Sequence, residues 1–259
     1  MAGLKIGVLV ESLRLGVRAG IEKAAELGFD GVQLYVTGGE MAPENLSKSG
    51  RRDFLRFVRE RDLTLSALCV ELGGYTSPEG LDEKIVRTQA MLDLGLDLGV
   101  TVHTSHIGRI PADPADPTRQ ALAETLRTLG DYAAERGRCL ACETGPEDTP
   151  LMHDFLASVG SEGIRVNFDP ANLVMNGFEP CRGVYELADF IVHTHAKDGV
   201  RREDGSKEEV PLGHGQVPWE CYVETLRDVG YDGFHTIERE AGDSPVADVV
   251  AAKRFLERF

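Results

Sequence analysis

The sequence predicts an α/β protein folded as a (β/α)8 barrel, and three observations carry that expectation. Apolar, strand-like runs alternate with helical patterns from one end to the other, eight times in 259 residues. Several helical patterns end in a glycine turn that leads straight into the next run, as in "LGFDGVQLY" and "VGYDGFHTI". No G-x-G-x-x-G follows the first run, which removes the main support for a doubly wound dinucleotide-binding sheet, the nearest competitor in length and order. A single barrel domain over residues 1–259 follows.

The first strand is expected from Lys5 to Val10, an apolar run cut off by Glu11. The helical pattern "GVRAGIEKAAELG" turns through its last glycine into the second, Gly31 to Val36. "GRRDFLRFVRERD" leads to the third, Thr64 to Glu71, and "DEKIVRTQAMLDLG" to the fourth, Thr101 to Ile107. The rigid loop "PADPADPTR" and the pattern "PTRQALAETLRTLGDYAAERG" precede the fifth, Arg138 to Glu143. The sixth spans Ile164 to Asp169 and the seventh Phe190 to Ala196. A long polar loop, "KDGVRREDGSKEEVPLGHGQ", and the pattern "PWECYVETLRDVG" lead to the last, Gly233 to Glu238. In such a barrel the loops after the fourth and seventh strands lie on the C-terminal face, where the chemistry of this architecture is kept.

Composition narrows the function. A chain that is 42% hydrophobic and 27% charged is an ordinary globular protein, and its formal charge of −15 disfavours nucleic acid as a partner. A small anionic substrate held by one or two local cations stays compatible with it. No stretch approaches a membrane span, and the run from Ile6 to Val10 is too short for a signal peptide, so a cytoplasmic location is the expectation. Five cysteines, an odd number, read as reduced thiols, and Cys139 and Cys142 in "RCLAC" as packing, because no second pair completes a zinc site.

The stretch "IVHTHAKD" puts His193, His195 and Lys197 on one face of the seventh strand, an unusual load for a core strand. Successive same-face residues lie about 6.6 Å apart, too far for all three to share one ion. His195 is therefore read as the ligand, with His193 one layer deeper and Lys197 one step nearer the substrate. Polar groups at other strand ends agree: "ACETG" delivers Glu143, "NFDPAN" Asp169 and "HTIERE" Glu238. Four consecutive strands thus bring one metal-competent group each to the same end, and crowded carboxylates repel without a cation. Three carboxylates and an imidazole suit one divalent ion, manganese, magnesium, cobalt or zinc.

"CETG", "NFDPAN", "HTHAKD", "PLGHGQVPW" and "GYDGFHTIERE", in this order, resemble the sugar phosphate isomerase and epimerase family, which has the xylose isomerase-like TIM barrel. The resemblance implies metal binding by Glu143, Asp169, His195 and Glu238, with Glu143 and Glu238 also serving as acid and base. It implies a small carbohydrate as substrate. That chemistry is sound: a carboxylate on each face of an enediolate can move the proton between its carbons.

Arg201 stands six residues after His195, where epimerases carry a substrate-binding arginine, and His106 in "HTSHIGRIP" and Lys197 are further substrate contacts. Asn172 takes the place of an epimerase histidine and can hydrogen-bond a hydroxyl but not become cationic. His214, in "GHG", stands where relatives have glutamate, while His103, His153 and His235 read as packing. A metal-dependent dehydratase or lyase acting on a keto-inositol or keto sugar would use the same groups. An abasic-site endonuclease-like phosphodiesterase is disfavoured by the acidic balance and the few mouth histidines, and a non-catalytic sugar-binding barrel by the intact glutamate pair. A homo-oligomer is compatible with the sequence.

Overall fold

The computed structural model describes residues 3–259. Eight parallel strands close into a barrel: β1 (Lys5–Leu9), β2 (Gly31–Tyr35), β3 (Thr64–Cys69), β4 (Val102–Ser105), β5 (Cys139–Glu143), β6 (Ile164–Phe168), β7 (Ile191–Ala196) and, last in the chain, β10 (Phe234–Ile237), which pairs with both β7 and β1. Outside run α1 (Val17–Glu26), α2 (Lys48–Arg59), α3 (Leu81–Leu98), α4 (Pro117–Ala134), α5 (Thr149–Val159), α6 (Pro170–Asn176), α7 (Pro180–Glu186), α8 (Trp219–Asp228) and α9 (Pro245–Leu256).

Local chemistry explains where helices begin. Ser47, Asp116 and Asp148 cap α2, α4 and α5 by accepting backbone N–H bonds, and a proline at the start of α4, α5, α6, α7 or α9 occupies a position that needs no donor. Between strands and helices the core is a continuous apolar layer that includes Leu34, Leu68, Met91, Leu126, Phe155, Phe168 and Tyr222. The barrel interior is different, since Gln33, Thr104, Asn167, His193 and His195 are buried there as polar groups.

Two expectations need correction. The loop after β7 contains an antiparallel hairpin, β8 (Asp198–Arg201) and β9 (Lys207–Val210), which lies outside the barrel. Its anchor is Asp198, whose buried carboxylate accepts from the backbone N–H of Gly199, Val217, Gly213 and Gly215 and from Trp219 Nε1, all at 2.9–3.2 Å. Five donors on one carboxylate satisfy its charge and fold the returning loop around it. The second correction concerns cysteine: Cys181 and Cys221 form a disulfide that joins α7 to α8, while Cys69, Cys139 and Cys142 are free thiols.

Candidate metal and catalytic site

Parallel pairing aligns the C-terminal ends of the strands, so residues far apart in sequence meet at the barrel mouth. Glu143 is the last residue of β5, Asp169 follows β6, His195 lies in β7 beside Thr236, and Glu238 follows β10. One ligand atom from each lies within 4.8 Å of the others, and all four residues are buried. Asp169 Oδ1 caps α6 by accepting from Ala171 N and Asn172 N at 2.8 and 3.1 Å, while its buried Oδ2 has no hydrogen-bond partner. An orphaned carboxylate oxygen facing two further carboxylates and an imidazole is a donor set that fits a divalent cation.

The carboxylates are held in different ways. Glu143 accepts from the side-chain amides of Asn167 and Asn172 at 3.1 and 3.0 Å and has His106 Nε2 at 3.4 Å. Glu238 lies 3.2 Å from His195 Nδ1 and accepts from Lys197 Nζ at 3.0 Å, and the same ammonium contacts Glu240. Burial pushes both glutamates up, but His195 and His106 beside Glu143, and His195 and Lys197 beside Glu238, outweigh it and hold both below the ordinary range. Asp169 goes the other way, to about 7, because burial wins over the more distant Lys197 ammonium, 4.0 Å away.

The structure brings His106, Asn172 and Lys197 to this cluster and does not bring Arg201. The Arg201 guanidinium donates to the backbone oxygen of Asn176 at 2.7 Å and packs against Gly177, at the C-terminal end of α6, where cations suit the helix dipole. His193 lies beneath His195, opposite Asn167. His103 points out of the barrel against Gly95 of α3.

Three contributors escaped the sequence reading. Glu71 Oε2 accepts from His106 N at 2.6 Å and faces its Nδ1 at 3.1 Å. Glu143 and Glu71 together raise the His106 imidazole to about 9. Asn167 orients Glu143, and Gln33 reaches both His193 and His195 from β2. Glu71 ends the expected third strand, so the strand-end rule that found Glu143 would have found it. Gln33 and Asn167 are polar residues inside apolar runs, a signal of the same kind as His193.

The sequence profile described as xylose isomerase-like TIM barrel matches residues 21–259. The chain belongs to that family. Among curated relatives, L-ribulose-5-phosphate 3-epimerase of Salmonella heidelberg is 26% identical over 251 residues, covering 90% of this chain and 86% of the relative. Among solved structures, a xylose isomerase domain protein from Planctomyces limnophilus superposes with a TM-score of 0.85 at 24% identity, covering 98% of this chain and 95% of its own. A xylose isomerase-like TIM barrel protein from Mycobacterium smegmatis, solved in complex with magnesium, gives 0.77 at 18% identity, covering 100% and 98%. No helix among the described residues is long and apolar enough to cross a membrane.

Proposed function

We propose that this barrel isomerises or epimerises a ketose or ketose phosphate, with Glu143 and Glu238 as the acid and base that move a proton at the carbon beside the carbonyl. One observation carries the reading. The two carboxylates are buried to 5% and 6% exposure and both face His195 Nδ1, at 3.6 and 3.2 Å, within a cluster of metal-competent atoms. The curated 3-epimerase relative supports the reaction class.

Glu143, Asp169, His195 and Glu238 would hold the ion, manganese, magnesium, cobalt or zinc. When bound it supplies a Lewis acid for the substrate carbonyl and its neighbouring hydroxyl. The chain's own residues do the remaining work. Asn167 and Asn172 each donate to one oxygen of Glu143, so its carboxylate keeps one orientation for proton transfer. Lys197 holds Glu238 in the same way and presents a cation to developing negative charge on a substrate oxygen. His106, backed by Glu71, is placed to donate to a substrate hydroxyl. Arg201 stays outside this reading because its guanidinium is committed to α6.

The test is turnover in deuterated water by metal-supplemented protein, with ketopentoses, ketohexoses and their phosphates followed by NMR. Deuterium should enter at the carbon adjacent to the carbonyl as product forms. Conversion of a ketose with no deuterium incorporated would overturn the two-carboxylate proton transfer and leave a hydride shift as the nearest mechanism.

A further inference from the structure

The buried amide of Gln33 crosses the barrel interior from β2 to β7. Its Nε2 donates to Thr104 Oγ1 at 2.7 Å, and its Oε1 faces His195 Nε2 at 3.0 Å and His193 Nε2 at 3.2 Å. A carbonyl oxygen has two lone pairs and accepts from two donors, and both ring nitrogens are placed to use them. The opposite ring nitrogen of His195, Nδ1, faces Glu238 and Glu143.

We infer that Gln33 is a positioning residue for the metal site: it holds hydrogen on Nε2 of His195 and so leaves Nδ1 free as the ligand atom. This rests on the metal reading of the cluster. An imidazole binds a metal only through a nitrogen that carries no hydrogen, and the partner of the other nitrogen decides which one that is. Asn167 cannot make the choice. Its amide nitrogen lies 3.4 Å from Nδ1 and 3.3 Å from Nε2, almost equidistant, and it donates at 3.1 Å to Glu143. Gln33 contacts Nε2 alone. The contact is also constrained, because the Gln33 side chain is buried and its amide is tied to Thr104 at the other end. Two strands, β2 and β4, therefore fix the tautomer of a histidine on a third, β7.

The test uses the full chain and two substitutions. Gln33→Met keeps length and burial but removes the acceptor; Gln33→Glu keeps an acceptor oxygen and replaces the amide with a carboxylate, the partner that metal-bound histidines commonly use. Affinity for cobalt(II) is measured by titration against a competing chelator, and the proton-bearing nitrogen of His195 by long-range proton–nitrogen NMR of wild-type protein loaded with zinc. Gln33→Met should bind cobalt about 10- to 100-fold more weakly, the usual loss when an outer-shell partner of a ligand is removed, and Gln33→Glu should restore affinity to within a few-fold of wild type. The NMR should show the His195 hydrogen on Nε2.

Undiminished affinity in Gln33→Met, failure of Gln33→Glu to recover it, or a His195 hydrogen found on Nδ1 overturns the inference. If Gln33→Met does not fold, the wild-type tautomer and the Gln33→Glu affinity still decide it. Wild-type protein that takes up no divalent ion at all would instead remove the metal reading and this inference with it, a result distinguishable from all the others.

Discussion

His195 and His193 are two residues apart on one strand, face the same interior and are both buried, yet their surroundings drive them in opposite directions. Burial pushes each imidazole toward neutrality. At His195, with no ion bound, the carboxylates of Glu238 and Glu143 overcome that and hold it well above its ordinary value. At His193 no carboxylate is within reach, burial prevails, and the charge of His195 reinforces it, so the ring stays neutral. The mouth of the barrel is thus a charged layer resting on a polar but uncharged one, built from Gln33, Asn167, Thr104 and His193. The lower layer passes hydrogen bonds upward without adding charge to compete with the site. Same strand, same face and same residue type still give opposite shifts, because depth in the barrel selects the neighbours.

The largest break in this comparison is in the charged layer. Glu143→Gln and Glu238→Gln keep size and one oxygen ligand but lose basicity, so turnover should fall by about 10² to 10⁴ in each, the usual cost of a lost general base. Steady-state rates, with circular dichroism as a check on folding, decide it. Full activity in either variant would separate that carboxylate from the chemistry.

Next is the contrast between the two histidines themselves. His195→Gln should weaken cobalt binding by more than the roughly 100-fold upper range for outer-shell changes, and His193→Gln should stay inside that range. Isothermal titration of both variants reads the difference. The reverse order would move the site one layer deeper.

A smaller effect belongs to the rim. Glu71 supports His106 from outside the cluster, so Glu71→Gln replaces a charge-assisted hydrogen bond with a neutral one. Charge-assisted bonds are worth about 1.5–3 kcal/mol and neutral ones about 0.5–1.5, so a loss of about 1 kcal/mol lowers kcat/KM about fivefold. An unchanged kcat/KM would reduce Glu71 to surface packing.

Residue by residue, legibility followed the reach of the force involved. The eight barrel strands were legible because a local apolar run and a glycine turn mark each, and the four cluster residues because strand ends in a closed parallel barrel must converge. The β8–β9 hairpin was not, since "VRREDGSKEEV" has no apolar alternation and its stability comes from Asp198 and from Glu209, which is bound to Arg239 at 2.6 Å beyond β10. The Cys181–Cys221 disulfide bridges 40 residues and depends on how α7 packs on α8, which no local pattern encodes. Arg201 was expected at the substrate, but its guanidinium is drawn to the Asn176 carbonyl at the end of α6, a partner that no local pattern encodes. Gln33 and Glu71 act through partners on other strands and acquire meaning only once those strands are neighbours.

The smallest effect extends the rule of the neutral layer to the outside of the barrel wall. His103 is buried between β4 and α3, and burial lowers its pKa from 6.5 to about 4, outweighing the backbone at Cys139 and Thr101, which pulls it the other way. A base whose folded pKa lies below its unfolded value binds more protons when unfolded, so its contribution is intact above about pH 6.5 and is lost as the pH falls toward 4. Between pH 8 and pH 6 the loss is about 1 kcal/mol by that linkage. His103→Leu removes the titrating group and fills similar space, so its stability relative to wild type should improve by about 1 kcal/mol at pH 6 compared with pH 8. The comparison of the two proteins at each pH cancels the other titrating groups, whose shifts are common to both. Urea unfolding at the two pH values measures it. A difference between variant and wild type that does not change with pH would mean that His103 can take up its proton inside the fold, and that burial alone does not keep an imidazole neutral in this barrel.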